Sequence, residues 1–219
     1  MKWLVRRKLA KLQRAYYTRA DHPSVIAYVD TLREARGPAV RRRALHACAG
    51  QHYIDGWINV DFTLPGKIDA VANLAAGLPF RGDSLDYIHS EDFIEHVELA
   101  DGKRFIAEAY RVLRRGGVMR ILTPDLRALI ERVYIDRERK HLRWCADTLA
   151  APSPCQALNM HLRMSGEHRF IYDEELLTEL LREVGFSVRR TSWNESKEPA
   201  LRFLDLRNFG LSLFLEAVK

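Results

Sequence analysis

Histidines, carboxylates and amides recur in this 219-residue chain just where runs of branched and aromatic side chains give way to turn residues. His46, Cys48 and Gly50 close one such run, Asp61 ends a second, Asn73 and Leu74 follow a third, and Ser90, Glu91 and His96 follow a fourth. His168 stands far downstream, ahead of a leucine-rich helical pattern. An imidazole titrates near neutrality and can take a proton from a reacting hydroxyl. A carboxylate offers two acceptor oxygens, and a glycine lets backbone approach a ligand closely. The absent spacings narrow the chemistry. Cys48, Cys145 and Cys155 form no CxxC, and the eight histidines form no HExxH or HxH, so no metal is expected. The cysteines read as free thiols in a reducing cytoplasm, the expected location. The turn after residue 47 lacks GxGxxG, which argues against a nicotinamide oxidoreductase.

The elements that would position these residues follow from periodicity. Strands are predicted at 43–47, 57–62, 68–72, 85–89 and 118–122, with a helix at about 101–113 whose Phe105, Ala109, Val112 and Leu113 share one face. A second helix starts at Pro124-Asp125 and runs to about residue 134. Residues 136–168 read as an insertion of short helices. Asp173 caps a helix with Leu176, Leu177, Leu180 and Leu181 inside, and 186–191 and 211–218 close the chain as an antiparallel strand pair. Such alternation predicts a mostly parallel sheet covered on both faces, with ligands beyond the C-terminal strand ends where strand order reverses.

Charge separates the chain into two parts. Residues 1–44 hold 12 Lys/Arg and 3 Asp/Glu, a balance of +9, whereas 45–219 hold 23 and 26, a balance of −3. The first part reads as a basic helical arm with Val5, Leu9, Leu12 and Tyr16 along one face, docked on its own domain or on a second subunit. Peripheral contact with an acidic membrane surface is the lesser reading of the arm. No apolar stretch is long enough to span a membrane, and the acidic body argues against nucleic acid as substrate.

Seven phrases in order, GWINVDF at 56–62, LPF at 78–80, SLDYIHSEDFIEHV at 84–97, YRVLRRGG at 110–117, RILTPDL at 120–126, HRFIYDEELL at 168–177 and EVGF at 183–186, carry a resemblance. The chain from 45 to 219 resembles a bacterial family of S-adenosylmethionine (SAM)-dependent methyltransferases often associated with polysaccharide biosynthesis. The resemblance implies a Rossmann-like, three-layer class I fold with a seven-stranded sheet, and SAM as cofactor. It implies transfer of a methyl group to a small-molecule or sugar hydroxyl. The alternative is a methyltransferase-like scaffold that acts only by binding partners.

Carried over residue by residue, the cofactor would meet His46, Cys48, Gly50, Asp61, Asn73, Leu74 and Ser90. Asp61 would hold both ribose hydroxyls, Asn73 the adenine edge, where the family more often has Asp, and Leu74 the adenine face. Cys48 departs from the family's Leu-x-Leu-Gly-Cys-Gly pattern, for it stands where the first glycine belongs. That substitution would hinder SAM binding through backbone strain and the added sulfur. His168, His96 and Glu91 are the candidate bases. Asn159 and His161 would border an acceptor pocket, although a surface position is the plainer reading of both.

Overall fold

The computed structural model describes residues 43–62, 67–208 and 210–219, so the basic arm lies outside the described residues except for its last two. Seven strands form one sheet: β1 (Ala44–Ala47), β2 (Ile58–Asp61), β3 (Ala70–Val71), β4 (Leu85–Glu91), β5 (Leu113–Pro124), β6 (Ser187–Arg190) and β7 (Ser212–Val218). Their order is β3-β2-β1-β4-β5-β7-β6. β7 runs antiparallel to β5 and β6, and the other pairs are parallel. Each predicted strand is present within a few residues, and the C-terminal antiparallel pair is there. Strand order reverses between β1 and β4, which places a ligand crevice at their C-terminal ends.

One face of the sheet is apolar by simple alternation. Leu45, Ala47, Ile58, Val60, Ile88, Met119, Ile121, Leu213, Leu215 and Ala217 all join the main core. Two amphipathic helices cover it. α1 (Leu99–Val112) buries Phe105, Ile106, Ala109 and Val112. It approaches Tyr172 so closely that a Cβ on Gly102 would sit 2.5 Å from the phenol oxygen. Beyond β5, Asp125 caps α2 (Leu126–Ala128), which widens into a π-helical turn over Leu129–Ile135. The expected insertion holds α3 (Arg139–Leu149) and α4 (Pro154–Arg163), the latter opened by a Ser153/Gln156 capping box. α5 (Glu174–Glu183) then starts where the Asp173 carboxylate accepts the Leu176 N–H at 2.9 Å, and it buries Leu177, Leu180 and Leu181 against the main core.

The opposite face carries a smaller apolar cluster. Among the described residues it is covered by the β1–β2 connection and by a strap over residues 192–206, whose only helical part is the short turn Pro199–Leu201. The connection is too short for a crossover helix. Beneath this cover the strands align a row of polar side chains, buried except for Arg189 at its end. Asn59, His46, His89, Arg120, Glu216 and Arg189 are successive cross-strand partners. His46 Nδ1 meets Asn59 Oδ1 at 3.1 Å. Arg120 donates to both Asp205 carboxylate oxygens (2.7 and 2.5 Å) and to Glu216 Oε1 at 3.2 Å. Its remaining hydrogen bonds go to Thr191 Oγ1 and to the carbonyls of Ser192 and Glu195, each at 2.9 Å. Asp205 also accepts from His89 Nε2 at 3.2 Å and from the Asn194 N–H at 2.7 Å.

The row makes the fold sensitive to acid. Burial, aided by the nearby His89 and His52 and opposed by the Asn59 hydrogen bond, lowers the His46 pKa to about 3. Burial also lowers His89, against the pull of Asp205. Both rings protonate more readily in the unfolded chain, near the ordinary value of about 6.5. The unfolded state therefore binds more protons below that pH, and stability falls as the pH drops from there toward the folded values. Each such histidine removes up to about 1.4 kcal/mol per pH unit inside the window. Urea denaturation between about pH 7 and 4.5 should show a steadily falling midpoint, with a shallower fall in His46→Asn. Identical slopes in the two proteins would show that His46 does not gain its proton on unfolding.

Candidate functional site

A cavity of about 760 Å³ opens at the C-terminal ends of β1, β4 and β5. Its first wall is the turn after β1, formed by Cys48, Ala49, Gly50, Gln51 and His52. Cys48 and Gly50 both have φ of 56°. Cys48 thus holds the left-handed conformation that glycine would adopt freely, a cost of about 1–2 kcal/mol for a residue with a Cβ. The turn is tied to β2, for Ala49 N–H donates to the Val60 carbonyl at 3.1 Å and Gly50 N–H to Asp61 Oδ2 at 2.9 Å. Asp61 is buried at the end of β2, so one of its oxygens fixes the turn.

The second wall follows β4. Glu91, Asp92, Glu95 and His96 line it, the last two on a short helical turn, Ile94–His96. Asp92 takes a φ of 50°, which turns the chain sharply away from the strand. The Glu91 carboxylate accepts the Leu206 N–H (3.1 and 3.0 Å) and the Arg207 N–H (2.7 Å). Burial raises its pKa to about 6 against those hydrogen bonds. Glu91 therefore anchors the end of the strap. Asp92 pairs with Arg207 at 3.0 Å.

The third wall comes from the insertion and the segment before α5. His161 is buried and stacks on Trp144, with ring centroids 5.6 Å apart. His168 packs edge to face on His96 at 4.9 Å. His168 Nδ1 lies 2.5 Å from the His161 carbonyl, and His96 Nδ1 lies 3.3 Å from the Glu167 carbonyl. A carbonyl can only accept, so the proton shared at each of these contacts sits on Nδ1. Burial lowers the His168 pKa, which keeps the ring neutral near pH 7.

The cavity therefore gathers His46, Cys48, Gly50, Glu91, His96 and His168 from the sequence-derived candidates. The other four sit around it. Asp61 lies behind the turn it holds. Leu74 is buried in the main core, a packing role. Asn73 accepts the Ala75 N–H with its side-chain oxygen at 3.2 Å, as a turn former does. Ser90 is fully buried. His46 faces the polar row and reaches the cavity only at its edge. Asn159 is exposed and bonds back to the Cys155 carbonyl, whereas His161 is interior. Sequence reasoning missed Asp92, Glu95, Trp144 and Arg207. Of these only Glu95 left a trace, as the acidic neighbour of His96.

Residues 44–121 match the methyltransferase domain family. No curated protein matches the chain. An S-adenosylmethionine-dependent methyltransferase from Mesorhizobium loti shares the fold at 13% identity and a TM-score of 0.51, over 84% of this chain and 98% of that one. A Bacillus halodurans structure assigned as a methyltransferase aligns at 14% identity and a TM-score of 0.50, over 88% and 99% of the two chains. A Haloferax volcanii complex of the Trm112 methyltransferase activator with a protein assigned as a methyltransferase aligns at 15% identity and a TM-score of 0.50, over 91% and 95%. Residues 44–121 thus match a methyltransferase domain, and these solved structures share the Rossmann-like fold of the chain.

Thiol chemistry at the turn can be checked directly. Burial, with the neighbouring Asp61 and Glu95 carboxylates, raises the Cys48 pKa well above its ordinary value, and burial also raises Cys145. Cys155 is exposed. Iodoacetamide at neutral pH, followed by peptide mass spectrometry, should modify Cys155 first and spare Cys48 and Cys145 until the protein unfolds. Labelling of Cys48 as fast as Cys155 would mean an activated thiolate at the turn.

Proposed function

We propose that this methyltransferase domain binds SAM along the turn after β1 and transfers its methyl group to a hydroxyl of a small molecule or saccharide held in the adjoining cavity. The observation that carries the reading is the continuity of the two parts. The turn at 48–52, where class I enzymes of this fold seat their cofactor, is itself one wall of a cavity whose far wall includes His96 and His168. Asp61 and Asn73 stand at the ends of the next two strands, where the ribose and adenine of the cofactor would lie. Asp61 accepts the Gly50 N–H at the end of β2, and Gly50 gives the cofactor's amino-acid end a backbone without a side chain.

Catalysis here is mainly positioning. The sulfonium methyl is already electrophilic, so the enzyme must hold an acceptor oxygen in line with it and dispose of a proton. As the oxygen lone pair forms the new C–O bond, the C–S bond breaks and its electron pair stays on sulfur. His168 and His96 face the acceptor with Nε2, while Glu91 positions the strap that closes the cavity. The mixture of Trp144, Leu129 and polar groups suits an acceptor with both an apolar face and hydroxyls. A saccharide has that character.

The departure at Cys48 favours a second reading, a scaffold that has lost the cofactor and binds partners. Calorimetric titration with SAM and S-adenosylhomocysteine separates the two. Micromolar binding is expected. Asp61→Ala should weaken it at least tenfold, about 1.4 kcal/mol, with an unchanged far-ultraviolet spectrum. Cys48→Gly should tighten it, because glycine takes the left-handed conformation without strain and removes the sulfur from the binding turn. No binding by the folded wild type up to millimolar ligand would favour the scaffold, and unaltered affinity in Asp61→Ala would remove that residue from the site.

A further inference from the structure

Three acceptors converge on one side of the cavity. Glu95, His96 and His168 each bring a donor atom to within 4.8 Å of the other two. The Nδ1 atoms of both histidines meet backbone carbonyls, which leaves Nε2 as the ring atom able to act as a ligand. Glu95 Oε2 accepts the Thr123 hydroxyl at 3.0 Å, but Oε1 is buried and has no hydrogen-bond partner among the described residues. Glu95 itself is 1% exposed. Two imidazoles and a carboxylate oxygen that is orphaned among the described residues thus share a small space, and a buried acceptor in that position calls for a proton or a cation.

We propose that Glu95, His96 and His168 form a binding site for a divalent transition-metal ion of the Zn²⁺, Co²⁺ or Mn²⁺ type. Two imidazoles and one carboxylate make a facial ligand set that leaves coordination positions open, here toward the cavity. The outer contacts match those that metal-binding histidines use. Each ring is oriented by an Nδ1–H to carbonyl bond, and the carboxylate is oriented by Thr123. Asp92, next along the wall, is paired with Arg207 and closes that side of the cluster. Resting on the methyltransferase reading, the ion has a definite use. It would bind the acceptor hydroxyl and lower its proton affinity, so that the proton leaves to water through the cavity mouth before the oxygen takes the methyl group. The favoured acceptor then carries a hydroxyl that can reach an ion, as a sugar ring does.

The test is binding of Co²⁺ to the full chain after removal of metals by chelation, followed by the visible absorption of the bound ion. One equivalent is expected, displaced by Zn²⁺. Glu95→Gln, His96→Gln and His168→Gln should each weaken Co²⁺ at least tenfold. Circular dichroism checks their folding. Glu95→Gln is nearly isosteric and can keep the Thr123 contact, so it remains informative if a histidine variant fails to fold. Absence of stoichiometric Co²⁺ binding, or affinity unchanged in folded Glu95→Gln, would overturn the site and leave a protonated Glu95 as the occupant. Titration with S-adenosylhomocysteine in the absence of metal keeps the two readings apart. Cofactor binding without Co²⁺ binding would sink only the metal site, and Co²⁺ binding without cofactor binding would sink only the methyltransferase reading.

Discussion

The ion pair of Arg120 with Asp205 is the interaction on which the rest of this structure depends. Both side chains are wholly buried. Taking two charges out of water is costly, and the cost is recovered only where geometry and further hydrogen bonds are good. Here the guanidinium meets both carboxylate oxygens, and its other hydrogens go to β7, to Thr191 and to carbonyls of the strap. The pair therefore joins the central strands to the segment that covers them. That segment continues directly into Leu206 and Arg207, which the Glu91 carboxylate and Asp92 hold at the cavity mouth. A short chain of polar contacts thus runs from beneath the sheet to the site.

The strap suits the polar face of the sheet that it covers. A helix contributes a stripe of apolar side chains. The strap contributes backbone carbonyls and one carboxylate, which suit a row of histidine, arginine and glutamate. Ala44, Ile54, Trp57, Val118 and Leu201 supply a smaller apolar cluster beside it. The site is then built by strands and short turns whose spacing is set by pairing register, with the turn after β1 fixed to β2 through Gly50 and Asp61.

The element order was readable because period-two and helical patterns in this chain are strong and are broken by clear caps such as Asp173. The polar row was not readable. His46, Asn59, His89, Arg120 and Glu216 occupy alternate strand positions, and in a sequence that alternation looks like a strand half-exposed to water. Only the tertiary partner Asp205, 85 residues beyond Arg120, reveals that it is buried. At the site, His96 and His168 stood out as chemically capable residues, but Glu95 did not, since an acidic residue in a turn is unremarkable until its burial is known. Leu74 reads in the sequence equally as an adenine contact or as core, because an apolar residue serves both, and it lies in the main core.

A structure of the protein with S-adenosylhomocysteine bound tests the central claim most directly. The ribose is expected at Asp61, the adenine near Asn73, the amino-acid end over the turn at Gly50, and the sulfur directed into the cavity toward His96 and His168. A ligand seated elsewhere, or one whose sulfur faces away from that cavity, would contradict the assignment of cofactor turn and acceptor site to one continuous space.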